Sequence, residues 1–116
     1  MAVLAGQRLR FRAFLLVRTS ATTIGGMTSV NGPAASPVSF QVFEWTSATV
    51  RAVGAMLTAL DAFVTRTAGP GATTVLYEIH GFAKFSANGT FIVRAKAETG
   101  GTLSVMEGSW LEYLLV

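Results

Sequence analysis

Few side chains in this sequence are suited to catalysis or to binding a metal ion. The only histidine is His80, the only aspartate is Asp61, and there is no cysteine. A metal centre would need His80 together with carboxylates, but the glutamates are scattered without the spacing of metal ligands. There is also no Gly-x-Ser-x-Gly turn, phosphate-binding loop or dinucleotide motif. We therefore expect a protein that is not an enzyme and that holds no metal or cofactor.

Glu78 and His80 are the nearest approach to a reactive pair. They stand two residues apart, so in a strand they share one face and can hydrogen-bond. We interpret them as a polar pair at the edge of a sheet or subunit. The alternative is a pH-sensitive contact, because histidine titrates near neutrality.

Arg8, Arg10 and Arg12 recur at every second position near the N-terminus. Two interpretations stand side by side. Charged side chains protect strand edges from aggregation, and they also attach a protein to an acidic surface such as a capsid shell. The net charge is +3, but there is no run of Lys and Arg and no aromatic-basic signature of an RNA-binding sheet. We expect no nucleic-acid partner.

The composition predicts that part of the surface is covered. Hydrophobic residues make up 51% of the 116 residues and charged residues only 13%, where about 25% is usual. Such a surface is typical of association with other copies or with a partner, although a surface rich in Ala, Gly and Thr would also be poor in charge. The length fits one domain over residues 1–116. We expect no membrane span, since the apolar run at 13–17 is far shorter than about 20 residues.

Short runs of alternating hydrophobicity, separated by Gly, Pro and Asn, predict strands along most of the chain. The predicted strands cover residues 7–18, 27–30, 38–45, 73–85, 90–98, 103–106 and 109–116. Asn88-Gly89 predicts a two-residue hairpin between the fourth and fifth of these. The pattern predicts an all-β fold, a single antiparallel β-sandwich of jelly-roll-like form with at most one short helix.

The first predicted strand has two unlike faces. One face is apolar throughout, whereas the other starts with the three arginines and turns apolar at Phe14 and Leu16. A solvated face would be polar along its length. We therefore expect a second sheet or a neighbouring subunit to cover these two side chains.

Residues 46–66 are ambiguous. Their apolar residues recur at helical spacing, which favours an amphipathic helix. However, the segment is rich in β-branched residues and is interrupted by Gly54. We favour two strands over one helix.

Five segments, taken in their order along the chain, resemble a pattern in structural proteins of tailed bacteriophages. They are RFRAFLLVRT at 10–19, VNGPA at 30–34, VLYEIHGF at 75–82, ANGTF at 87–91 and VMEGSWL at 105–111. The resemblance is to decoration, collar and fibre modules, which are compact jelly rolls of the tumour-necrosis-factor or C1q-like kind and are typically trimers. The first strand begins close to the first residue, which leaves little room for an anchor or shaft and favours a decoration protein over a fibre.

The resemblance implies a homotrimeric capsid decoration (cement) protein that binds the major capsid protein on the outer surface of a phage head. The protein would be made in the cytoplasm of the host bacterium and then become part of the virion. The alternative is a receptor- or glycan-binding knob of a fibre, collar or tail. The expected capsid contacts are Arg8, Arg10 and Arg12, and the expected subunit contacts are Phe14, Leu16, Phe82 and Trp110.

Overall fold

The computed structural model describes residues 1–45, 49–63, 71, 73–98 and 100–116. Within these ranges the regular secondary structure is β-strand throughout, so no helix there is long and apolar enough to cross a membrane. The strands are β1 (Ala2–Val3), β2 (Arg8–Thr19), β3 (Gly26–Asn31), β4 (Ala35–Trp45), β5 (Arg51–Leu57), β6 (Val75–Phe85), β7 (Gly89–Thr90), β8 (Ile92–Ala97), β9 (Leu103–Val105) and β10 (Trp110–Leu115).

One large antiparallel sheet dominates the molecule. Its strand order is β10-β2-β6-β4-β5, and β9 continues the line of β10 along the end of β2. Two further antiparallel pairs, β3-β8 and β1-β7, form a smaller second layer. The predicted all-β antiparallel sandwich is confirmed.

The alternation in β2 decides which side of the large sheet is the core. The odd-numbered residues from Leu9 to Val17 are buried, whereas the even-numbered residues that alternate with them are exposed or half-buried. Since side chains of a strand point to opposite faces in turn, one face of β2 lies in the core and the other points away from it.

The core lies between the large sheet and the smaller layer. Phe91, just before β8, packs 4.8 Å from the ring of Phe11 on β2 and 5.9 Å from that of Phe85 on β6. All three are buried, together with Val30 of β3. These contacts join the two layers, because aromatic rings bury more apolar area than other side chains.

The ambiguous segment at 46–66 contains a strand where the structure describes it. β5 spans Arg51–Leu57 and pairs with β4, so the preference for strand over helix is confirmed there. However, β5 runs through Gly54 as one strand, and no second strand follows it in the described residues up to 63. The chain then turns through Asp61, which has a positive φ of 60°. Residues 46–48 and 64–66 lie outside the described residues.

The predicted hairpin at Asn88-Gly89 is wrong. β6 does not pair with the strand that follows it, because β7 pairs with β1 and β8 pairs with β3. Instead, the side chain of Asn88 accepts a hydrogen bond from the Ala5 amide at 2.8 Å, and the Ser86 amide donates to the Ala34 carbonyl at 2.8 Å. These contacts hold the chain where it passes from the large sheet to the smaller layer.

Candidate interaction surface

The outer face is the face of the large sheet that points away from the core. None of the described strands lies over it. Its members are Trp110, Glu112 and Leu114 on β10, Arg8, Arg10, Arg12, Phe14 and Leu16 on β2, Leu76, Glu78, His80, Phe82 and Lys84 on β6, Gln41, Phe43 and Trp45 on β4, and Arg51, Val53 and Met56 on β5.

All seven predicted contact residues lie on the outer face. The three arginines alternate with buried residues along β2, and Phe14 and Leu16 continue the same row. Phe82 is opposite Arg10, and Trp110 is opposite Phe14. The residues expected to touch a capsid and those expected to touch another subunit therefore form one continuous surface.

Glu78 is the polar centre of this face. The indole N–H of Trp45 donates to Glu78 Oε1 at 2.7 Å, and His80 Nε2 lies 2.9 Å from Oε2. An ionised carboxylate only accepts, so His80 is the donor in the second bond. Arg12 Nη2 is 3.8 Å from the same oxygen, and only 6% of the Glu78 side chain is exposed. The predicted hydrogen bond between Glu78 and His80 is confirmed, but the pair lies on β6 in the middle of the large sheet and not at a sheet edge.

The pKa of Glu78 reflects this environment. Burial raises it, because the charged form loses its hydration. The hydrogen bonds from Trp45 and His80, and the charges of His80 and Arg12, outweigh the burial and hold the pKa of Glu78 below its ordinary value of 4.5. The carboxylate is thus ionised at neutral pH and ties three strands together.

Aromatic rings and arginines pack on both sides of this centre. The Phe14 ring stacks on Trp110 with a centroid distance of 4.4 Å and an interplanar angle of 18°. The Arg12 guanidinium lies 4.6 Å above the Phe14 ring. Further across the sheet, Arg51 lies 4.5 Å above the Phe43 ring. These cation–π contacts fix the side chains before any partner arrives.

Two shallow grooves run along the outer face on either side of His80. The first has a volume of about 300 Å³ and is lined by Arg10, Arg12 and Glu112 among others. The second has a volume of about 330 Å³, and its lining includes Gln41 and Met56.

Arg8 and Arg10 are two exposed cations of the outer face. Both are exposed, and neither makes an ion pair or hydrogen bond with another described side chain. Arg12 differs because its guanidinium lies 3.8 Å from the Glu78 carboxylate, although 49% of the Arg12 side chain is exposed. The sequence suggested three equivalent arginines; in the structure one of them is engaged with Glu78.

Sequence reasoning missed the half of this surface contributed by β4 and β5. Phe43, Trp45 and Arg51 hold one side of the polar centre, yet none was predicted as a contact residue. The sequence pattern that could have indicated them is the alternation of Gln41, Phe43 and Trp45 along β4. In the structure these three residues are half-buried between buried neighbours. That pattern shows a shared face on β4 but does not show that the face continues that of β2.

Across the described ranges, no three His, Cys, Asp or Glu side chains cluster in a way that could hold a metal ion. No protein family, curated protein or solved structure matches this chain.

Proposed function

We propose that this chain is a structural protein of a tailed-bacteriophage virion, without enzymatic activity, that decorates the outer surface of the head as a homotrimer. It binds the major capsid protein at three-fold or quasi-three-fold positions and stiffens the shell against the internal pressure of the packaged genome. The order of the five sequence segments supports the phage assignment, and the outer face supports the role in assembly.

The outer face is the single observation that carries the proposal. It extends roughly 19 Å from β10 to β5 and roughly 27 Å along β2, from strand spacing and rise. The projected area of this face is roughly 500 Å² from the same spacing and rise, which is the larger part of the about 800 Å² that a stable interface takes from each partner. The side chains around Glu78 and in the Phe14–Trp110 stack are already ordered by mutual contacts, so little side-chain entropy is lost there on association.

Subunit packing uses the apolar end of the face. Phe14, Leu16 and Leu76 lie side by side across β2 and β6, and Trp110 is 43% exposed although it stacks on Phe14. Burying apolar area contributes about 25 cal/mol per Å². A neighbouring copy covers these side chains, which is one of the two kinds of cover that the sequence pattern of β2 predicts.

Capsid attachment uses the opposite end, where Arg8 and Arg10 are exposed. They project from the same strand about 6.7 Å apart, from the rise of two residues. Such a pair fits acidic side chains on the capsid surface, and the attraction between exposed charges weakens with salt. We therefore expect attachment to heads to be stronger at low ionic strength.

Light scattering tests the subunit contact. The wild-type protein should have a mass that is a multiple of three protomers, and Phe14→Ser combined with Trp110→Ser should remove this three-fold multiple. Ile92→Ser is the matched control, because Ile92 is 42% exposed on β8 in the other layer. A wild-type monomer, or loss of the trimer in the Ile92→Ser control alone, would refute the packing role of the outer face.

Co-sedimentation with undecorated phage heads tests the attachment. Wild-type protein should sediment with heads, and the Arg8→Gln/Arg10→Gln variant should be released from them at about 0.15 M salt. Arg94→Gln/Lys96→Gln is the control, since it removes two exposed cations from β8. Equal binding by both variants would contradict attachment through the arginines of β2.

The exposed Phe14–Trp110 stack favours the second candidate, a glycan-binding knob, because sugar rings pack on flat aromatic faces. A trimer that ignores heads but binds host-cell surface polysaccharide, and loses that binding in Trp110→Ser, would favour the knob over the decoration protein.

A further inference from the structure

Strand β10 lies at one edge of the large sheet. It pairs with β2 on one side, and no described strand pairs on its other side. The Val116 amide donates to the Arg8 carbonyl at 3.0 Å, so even-numbered residues of this strand direct their backbone groups toward β2. In an antiparallel ladder the direction alternates. The N–H and C=O groups of Leu111, Tyr113 and Leu115 therefore point away from the sheet.

This edge lacks the features that keep strand edges from pairing. Such features are lysines, prolines, bulges and very short strands. The opposite edge, β5, pairs across a bulge between Gln41 and Phe43. β10 has the regular register of its six residues with β2 and carries Glu112 as its only charge. Its other side chains are apolar and largely exposed, with Leu114 at 59% and Leu115 at 51%.

We propose that β10 pairs antiparallel with β10 of a second copy about a two-fold axis at Tyr113, which joins two large sheets edge to edge. Leu111 of each copy then lies opposite Leu115 of the other, and the two Tyr113 residues lie opposite each other. Each such pair exchanges two backbone hydrogen bonds, so the contact has about six. This contact is separate from the packing of outer faces and extends beyond the proposed function.

The sequence of β10 selects this register over its neighbours. In an antiparallel pair, two opposed residues have their side chains on the same face of the sheet. A two-fold axis between two copies of β10 therefore passes where one residue lies opposite its own copy. An axis at Glu112 would place two glutamates opposite each other with Cα atoms about 4.5 Å apart, which like charges disfavour. An axis at Leu114 would use the outward groups of Tyr113 and Leu115 alone and form about four hydrogen bonds. The axis at Tyr113 uses all three outward residues and sets Glu112 against Leu114.

The symmetry of this contact has a consequence for assembly. A two-fold axis normal to the sheet keeps the outer faces of both copies on the same side. Such an axis is absent from a simple trimer, so edge pairing joins two trimers into a hexamer. Without the outer-face contact, it produces a dimer. Masses of even copy number are therefore expected wherever β10 is free to pair.

Disulfide trapping tests the register directly, because the natural chain has no cysteine. Opposed residues of a hydrogen-bonded pair have Cα atoms about 5.5 Å apart, which lies within the range for a disulfide, about 4.4–6.8 Å. Tyr113→Cys should form a covalent dimer under mild oxidation. Leu111→Cys should not, because the two introduced thiols would lie more than about 10 Å apart, from the rise of the strand. Equal cross-linking of both variants, or of neither, would overturn the proposal.

A proline substitution provides a second test that does not depend on oxidation. Tyr113→Pro removes an outward N–H while leaving the ladder with β2 intact, so the mass by light scattering should fall by half with the fold retained by circular dichroism. Tyr113→Ser, which keeps the N–H, should retain the wild-type mass. If Tyr113→Pro keeps the wild-type mass, β10 does not pair. A trimer for both wild type and Tyr113→Pro overturns the edge contact while leaving the outer-face contact intact.

Discussion

Replacement of Glu78 by glutamine tests whether the polar centre of the outer face stabilises the fold. The carboxylate of Glu78 accepts from Trp45 at 2.7 Å and from His80 at 2.9 Å. Glutamine retains one acceptor oxygen, so its NH2 group faces one of the two donors. A hydrogen bond to a charged group contributes about 1.5–3 kcal/mol. We expect Glu78→Gln to lower the free energy of unfolding at pH 7 by about 2 kcal/mol, within that range.

The same substitution should change the pH dependence of stability. The pKa of Glu78 is lower in the folded protein than its ordinary value of 4.5. Ionised Glu78 therefore adds stability above about pH 4.5, and this contribution is lost as the pH falls through the lowered folded-state value. Wild-type stability should approach that of Glu78→Gln as the medium is acidified below this range.

Urea denaturation followed by far-ultraviolet circular dichroism at pH 7 and at pH 3 measures both effects at a fixed protein concentration. A loss of 2 kcal/mol corresponds to a fall of roughly 8 °C in Tm, from an unfolding entropy of about 2.1 cal/mol/K per residue. Glu112→Gln is the control, because Glu112 is an exposed carboxylate on the same face. Equal stability of wild type and Glu78→Gln at pH 7, or a difference unchanged at pH 3, would refute the reasoning.

Further substitutions test the packing of the large sheet, each by urea denaturation. Gly81→Ala places a Cβ 2.6 Å from Phe40 Cβ and should destabilise the fold by about 2 kcal/mol or more through overpacking. Gly100→Ala, whose new Cβ has no atom within 4 Å, should change the free energy of unfolding by less than about 0.5 kcal/mol. Ile79→Ala removes a side chain that is 0% exposed and should cost about 2–5 kcal/mol. Arg94→Ala breaks a 2.6 Å ion pair whose side chains are 42% and 46% exposed and should cost less than about 1 kcal/mol.

The strands were largely predictable because alternation is a local property of the chain. In β2, the apolar positions from Leu9 to Val17 identify the buried face without reference to any other strand. The same local reasoning placed Glu78 beside His80. It succeeded in 51–57 because β-branched residues and Gly54 disfavour a helix, although the helical spacing of apolar residues pointed the other way.

Strand pairing was not predictable in the same way. Asn88-Gly89 has the sequence of a tight hairpin turn, but the chain there is held by Ala5 and by the neighbourhood of Pro33, which lies 2.9 Å from the position of a Cβ on Gly89. Contacts with residues far away in the sequence override the local preference for a turn. For this reason β6 enters the large sheet while the following strands enter the smaller layer.

The sequence by itself determined that the chain forms β-strands, which face of β2 enters the core, and that Phe14 and Leu16 stand on a face that is not fully polar. Only the tertiary structure decided that β2 lies between β10 and β6, and hence that Trp110, Glu78 and the arginines share one surface. The physical reason is the distance along the sequence between the residues that interact. The direction of a side chain depends on its own strand, whereas its neighbours across the sheet depend on how strands separated by more than 50 residues pack together.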